Sequence, residues 1–200
     1  MKELEVSRRE RKKEATRRRI FKVAVKLFRD RGFEATTIDE ITEKADVAKG
    51  TFFNYFPRKE AVLGYLSEVW IAEAEENAEA ILTAKKSARE KLVELLSGLA
   101  AQYEEDRDLS WFVIMEWLKR AFTGTEDVHA RWHTLIVRVV EQGQATGELK
   151  RSVNPHRAEF VLGSVYMGTL IMWLCCPEGQ FPLRDELRAR LALVLDGLAD

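Results

Sequence analysis

Helix periodicity dominates the chain. Ile20, Val23, Ala24, Leu27 and Phe28 fall at the i, i+3, i+4, i+7 and i+8 positions of one helical stripe. Gly32 stands where a C-terminal cap belongs, because glycine takes the left-handed backbone of that position without steric cost. Thr37 then precedes Ile38, and Glu40 follows three residues on. That spacing predicts a capping box, the threonine oxygen accepting a backbone N–H and the glutamate reaching back to the threonine amide. Ile38, Ile41 and Ala45 make a second stripe, about two turns long, which Asp46-Val47-Ala48 interrupts. A third short helix runs through Phe56, and Pro57 ends it.

Longer helices follow. One starts near Arg58 and carries Val62, Leu66, Val69 and Trp70. Leu92, Leu95, Leu96, Leu99 and Tyr103 mark another; Trp111, Met115, Leu118 and Phe122 the next; Trp132, Leu135, Ile136, Val139 and Val140 one more, closed near Gly143 and Gly147. Asn154-Pro155 is a strong start signal, a capping side chain followed by proline at the first helical position. The helix that follows is apolar on nearly every side through Cys176, where Pro177, Gly179 and Pro182 break it. Leu183, Leu187, Leu191, Val194 and Leu198 make a last amphipathic helix. The pattern predicts an all-α chain of about nine helices, with no strand alternation and no fixed-period repeat.

Composition narrows this only a little. The 200 residues allow one domain or two small ones, and 46% apolar with 32% charged residues excludes a disordered or fibrous chain. No proline falls between Pro57 and Pro155 to interrupt helix there. The two cysteines, Cys175 and Cys176, are adjacent and cannot staple distant segments, which fits a reduced, cytoplasmic setting. The N-terminus lacks the apolar core of a secretory signal. Phe160 to Pro177 is uncharged and just long enough to span a bilayer, but Gly163, Ser164, Tyr166, Gly168 and Thr169 within it point to a buried core or interface helix.

Charge changes the picture more. Net charge is −1 overall, yet residues 1–60 hold 17 basic and 11 acidic side chains, and residues 61–200 hold 15 and 22. This split reads either as a polyanion-binding head on an acidic body or as a solvated basic helix. The short second and third helices, joined by a tight turn, form a helix-turn-helix pattern, a unit that sets its second helix into the major groove of DNA. On the third helix Phe52 and Phe56, four apart, share the core side, which leaves Gly50 and Asn54 opposite, flanked by Thr51 and Phe53. Gly50 lets backbone approach a phosphate or base edge, Asn54 can donate and accept at a base, and Thr51 can meet a phosphate or a thymine methyl. Lys49 and Lys59 bracket the helix with positive charge. These features favour DNA binding over a plain three-helix packing unit. The basic run from Arg8-Arg9 to Arg17-Arg18-Arg19 reads as an arm for phosphates or a minor groove, or as a solvated terminus.

The run Thr36-Thr37-Ile38-Asp39-Glu40-Ile41, followed by the segment from Ala45 through Gly50-Thr51-Phe52-Phe53-Asn54-Tyr55-Phe56-Pro57 to Leu63, closely resembles the TetR family of bacterial transcriptional regulators. The resemblance covers residues 14–74, with the helix-turn-helix at about 37–56, and leaves 75–200 as a helical regulatory and dimerisation domain. It implies an N-terminal three-helix DNA-binding head and a C-terminal ligand-binding body. Thr37 then contacts phosphate from the start of the second helix. Lys49, Gly50 and Thr51 lie nearest the bases, Phe53 and Tyr55 stand at phosphate-touching positions, and Lys59 grips phosphate. Phe53 lacks the hydroxyl common at its position, Asp39 stands where arginine is common, Thr42 where alanine is usual, and Ala48 replaces a capping serine or threonine.

For the body, the resemblance implies a ligand pocket and a homodimer interface, the latter built from the last two helices. Candidate lining residues are Tyr103, Trp111, Phe112, Met115, Trp117 and Trp132, which point to an apolar or aromatic effector; each also reads as plain core. Glu104, Glu105 and Glu116 read as solvated acids or as compensation for a cationic ligand. No phosphate-binding or nucleophile-elbow motif of an enzyme occurs. His129 and His133, four apart, lack a third metal ligand, so no metal and no cofactor are expected. Cys175 and Cys176 read as packing thiols. The expectation is a cytoplasmic, ligand-responsive repressor that binds a palindromic operator, effector binding shifting the spacing of its two heads. The alternative is a helical interaction protein that keeps the fold without operator binding.

Overall fold

The first apolar stripe lies on a helix longer than the stripe itself. The computed structural model describes residues 8–123 and 130–199, and α1 already begins at Arg8 and runs to Arg31. Then follow α2 (Ile38–Lys44), α3 (Lys49–Tyr55), α4 (Glu60–Thr83), α5 (Ala88–Glu104), α6 (Arg107–Phe122), α7 (Ala130–Thr146), α8 (Pro155–Cys175) and α9 (Leu183–Leu198). Nine helices among the described residues match the periodicity. The only strand-like pairing among them is an isolated bridge between Leu149 and Ala199. Gly32 closes α1 with φ +85°. Asn154 Oδ1 accepts from the His156 and Arg157 amides at the head of α8.

The chain divides into two compact units. One comprises residues 8–67 with Asp108–Phe122, so it takes the start of α4 and nearly all of α6. Its core is Ile20, Ala24, Leu27, Phe28, Phe33, Ile41, Phe52 and Phe56, closed by Val113 and Ile114 of α6. Phe33 meets Phe28 edge-on at 4.9 Å and Phe112 at 4.8 Å between ring centroids.

The other unit comprises residues 68–107, 123 and 130–199. In it α8 packs on α7 and α9, and α5 packs on α7 and α9. Leu92, Leu95, Leu96, Leu162, Leu170, Leu187 and Leu191 fill the centre. Gly143 of α7 sits so close to α5 that a β-carbon there would lie 2.6 Å from Ala88 Cβ. By length and composition α8 alone among the described helices could cross a membrane, but it buries Leu162, Tyr166, Leu170 and Trp173 within this unit. It also turns an apolar stripe outward. Phe160 is 72% exposed and Leu193 of α9 74%, with Val161 and Met172 of α8 also open.

Candidate nucleic-acid interface and effector region

Isolated helices shorter than about 12–15 residues are marginal in water, so α2 and α3 depend on caps and neighbours. The predicted capping box is present at α2. Thr37 Oγ1 accepts the Glu40 amide at 3.2 Å, and a Glu40 carboxylate oxygen accepts the Thr37 amide at 2.9 Å. The amide and hydroxyl of Thr37, joined by Arg31 at 2.7 Å, hold the Glu40 carboxyl below the usual carboxylate range. α3 has no counterpart, since Ala48 caps it without a side-chain bond. Between the two helices Asp46 takes φ +49°, a left-handed conformation that aspartate tolerates better than most residues. Arg19 of α1 reaches the Asp46 carbonyl at 3.4 Å.

The two sides of α3 differ as its spacing predicts. Phe52 and Phe56 are buried, while Lys49, Gly50 and Asn54 are exposed, Phe53 is 44% exposed, and Thr51 and Tyr55 are half-buried. A β-carbon built on Gly50 meets nothing within 4 Å. Lys49 Nζ lies 2.7 Å from Asp39 on α2, so the acid that replaces the common arginine pairs with a cation of the recognition helix. Thr42 is buried, and its hydroxyl donates to the Asp39 carbonyl at 2.9 Å.

Lys59, expected at a phosphate, is engaged within the head itself. Its Nζ donates to the carbonyls of Phe33, Glu34 and Thr36 at 2.8, 3.3 and 2.9 Å and lies 4.4 Å from the Phe33 ring centre. An ammonium has three protons, and all three are engaged by main chain. Lys59 therefore ties the α1–α2 loop to the start of α4. Its neighbour Arg58 forks onto Glu116 of α6 at 2.5 and 3.4 Å. Glu116 is only 5% exposed, so it is neither a solvated acid nor open to a cationic ligand. Local spacing carries no signal for this pair, whose members are 58 positions apart.

The six candidate lining residues do not gather within either unit. Tyr103 and Trp132 are buried in the second unit, whereas Trp111, Phe112, Met115 and Trp117 belong to the α6 segment of the first. Trp111 is exposed, and Phe112 packs on Phe33. The second unit holds a different polar-aromatic group that spacing along the chain does not single out. Trp70 meets Tyr103 edge-on at 5.2 Å. Burial pushes the phenols of Tyr103 and Tyr166 well up, and negative charge on Tyr103 would disfavour ionisation of Tyr166 further. Tyr166 Oη, Ser97 Oγ and Arg107 Nε are buried with no hydrogen-bond partner among the described residues. Arg107 otherwise donates to the carbonyls of Trp173, Leu174 and Cys176 at the end of α8. Glu104 pairs with Arg184 of α9.

His129 lies outside the described residues, and His133 Nδ1 stands 2.5 Å from Glu159 Oε1. Among the described residues no group of three metal-ligating side chains occurs. Cys175 and Cys176 are free thiols, the first exposed and the second half-buried.

A short helix with one side sunk in a core and the other bare, joined by a tight turn to a capped helix, defines a DNA-binding head of the helix-turn-helix kind. Residues 20–66 match the family described as bacterial regulatory proteins, tetR family. The crystal structure of Thermus thermophilus FadR, a TetR-family transcriptional repressor in complex with lauroyl-CoA, is 30% identical with a TM-score of 0.72, over 92% of this chain and 95% of that one. The repressor KstR2 of Rhodococcus jostii is 23% identical over 94% of this chain and 93% of its own length. The uncharacterised regulator YerO of Bacillus subtilis is 34% identical over 97 residues, and that match spans 33% of its length. This chain belongs to the TetR family, and it is a DNA-binding transcriptional regulator.

Proposed function

We propose that the protein is a cytoplasmic, ligand-responsive repressor that binds a palindromic operator as a homodimer, and that its role is regulatory, not catalytic. The observation that carries this reading is the two-sidedness of α3: Phe52 and Phe56 are buried while Gly50 and Asn54 are open. On the open edge Gly50 admits backbone to a base edge or phosphate, Asn54 reads a base, and Thr51 meets a phosphate or thymine methyl. Lys49 stands with Gly50 and Thr51 nearest the bases, and Phe53, Tyr55 and Thr37 face the sugar–phosphate strands on either side. Lys59 acts as a positioning residue through the loop it ties down. DNA binding resides in residues 14–74, with the helix-turn-helix at about 37–56, and regulation with dimerisation in 75–200.

Two copies pair through the outward stripe of Phe160, Val161 and Met172 with Leu193, which holds two recognition helices about 34–36 Å apart, one turn of DNA. The effector carries an apolar chain or aromatic ring. It meets Tyr103 and Trp132 of the second unit, with Tyr166 Oη offered to its polar group. Trp111, Phe112, Met115 and Trp117 belong to the first unit, where Phe112 packs on Phe33. Effector binding favours the state that does not fit the operator and so depopulates the DNA-bound form.

Selection of duplexes from a random pool by the purified protein tests the reading, with an inverted repeat as the expected product. On that duplex Gly50→Ala weakens binding about tenfold or more while melting is unchanged or raised, because the added methyl meets only DNA. Thr51→Ala changes the preferred sequence. Lauroyl-CoA, the ligand of the Thermus relative, is the first effector to titrate, and release of the duplex is the expected outcome. A pool that enriches nothing overturns the reading and leaves the helical interaction protein.

A further inference from the structure

The two cysteines are not core thiols. Both are free, Cys175 exposed and Cys176 half-buried. Helix α8 ends on them: Cys175 is its last residue, and Cys176 leaves it with φ −79° and ψ 151°. One turn earlier Met172 is 47% exposed. The Cys176 amide donates to the Met172 carbonyl at 3.0 Å, so the helix is regular through this turn. Positions 172, 175 and 176 are therefore i, i+3 and i+4, neighbours on one side of the helix with β-carbons about 5–6 Å apart across the turn. At about 100° per residue, Met172 falls between the two cysteines in angle and one turn before them. Side chains on a helix lean toward its N-terminus, so both thiols lean over the methionine turn. Methionine has the rotatable bonds to bring its thioether up to them.

A guanidinium stands beside this helix end. Arg107 donates to the carbonyls of Trp173, Leu174 and Cys176 at 3.1, 3.0 and 2.5 Å. Its Nε is buried with no hydrogen-bond partner, and among the described residues no carboxylate pairs with it. Three sulfurs and one positive charge without an acid thus meet at the end of α8.

We infer that Met172, Cys175 and Cys176 form a binding site for a soft monovalent metal ion, Cu(I). The ligand set decides the ion. Thiolate and thioether sulfurs are soft donors that select Cu(I). A structural Zn(II) site takes four nitrogen, sulfur or oxygen ligands, and among the described residues no three His, Cys, Asp or Glu side chains gather to build one. Charge agrees with this choice. Binding releases the two thiol protons to solvent, and Cu(I) with two thiolates carries one net negative charge. Arg107 supplies the opposite charge, and its Nε has a proton left to donate. The inference stands apart from the effector and operator readings. The stripe that pairs the copies runs from Phe160 to Met172, twelve residues or about 18 Å, so the sulfurs stand at its far end and each copy holds a full set.

The test titrates the full-length protein, reduced and under argon, with Cu(I) presented as its bicinchoninate complex. The expected result is one ion per chain drawn from the chelator, with thiolate-to-copper absorption in the ultraviolet. Cys175→Ser and Cys176→Ser each lose that absorption and weaken uptake more than about 100-fold, beyond the cost of losing a supporting hydrogen bond to a ligand. Both sites are open to solvent in whole or part, so melting curves of the serine variants match the wild type. Met172→Leu keeps volume and apolar character yet also weakens uptake. Several results overturn the inference. One is no uptake at all, which is what pairing of the copies over the sulfurs produces. The others are one ion per two chains, uptake unaltered in Met172→Leu, and Zn(II) held as tightly as Cu(I). None of them touches the repressor reading, which the duplex selection tests separately.

Discussion

The two compact units solve the problem of helix stability in opposite ways. The first places seven-residue helices α2 and α3 around buried phenylalanines and secures their ends with polar groups: the Thr37–Glu40 box, Lys59 on three carbonyls, and Arg58 on Glu116. The second uses helices of 16 to 21 residues such as α5, α8 and α9, joined along leucine stripes. A surface that must present one bare helix to a groove cannot also bury that helix on every side. Its rigidity comes instead from bonds at its ends. The body has no such duty and relies on area.

Core truncation exerts the largest expected effect in both units. Phe52→Ala and Leu187→Ala, each at a fully buried site, should cost about 3–5 and 2–5 kcal/mol, read by chemical denaturation. The comparison sharpens if Phe52→Ala abolishes DNA binding at temperatures where the body keeps its helix signal, and breaks if both variants melt as one. Next comes Arg58→Ala. It leaves Glu116 buried without its partner, and because Arg58 is itself 44% exposed the expected loss is about 2 kcal/mol, below that of a fully buried pair.

The caps give a smaller effect that depends on pH. Hydrogen bonds from Thr37 to Glu40, and from Ser87 to Glu90 at the start of α5, hold both carboxyls below their ordinary range. A carboxyl depressed on folding stabilises the native state above its unfolded value, and that contribution disappears as pH falls through the folded one. Stability should therefore decline on acidification in that window. Glu40→Gln and Glu90→Gln should each flatten the decline, as followed by melting temperature against pH. If only Glu40→Gln does so, the polar-end scheme is confined to the head. The smallest expected change is a gain. Asp46→Gly relieves a left-handed backbone and should stabilise by roughly 0.5–1 kcal/mol, with the melting curve as readout.

What could be read from the sequence was local. The Thr37–Glu40 box, Gly32, Asn154-Pro155 and the inward pair Phe52 and Phe56 all depend on spacings of a few residues, and each has its expected geometry. The Ser87–Glu90 box at the head of α5 has the same local spacing and the same geometry. Three features had no local signal. Lys59 found carbonyls 23 to 26 residues away, Arg58 found Glu116 across 58, and Phe112 of α6 joined Phe33 instead of Tyr103. Charge type predicts that a cation will seek an acceptor, not which acceptor a distant segment brings. Hence the recognition edge was legible, whereas the fate of its flanking cations and of the aromatic set was not.

The discontinuity of the first unit bears on how it can be handled. A fragment that stops at residue 74 omits Phe112, Val113, Ile114 and Glu116, and so strips the partner from Phe33 and the counter-ion from Arg58. Grafting this head onto another sensor therefore means transplanting two stretches of chain, the second lying more than thirty residues downstream of the first, or designing a substitute for the missing helix.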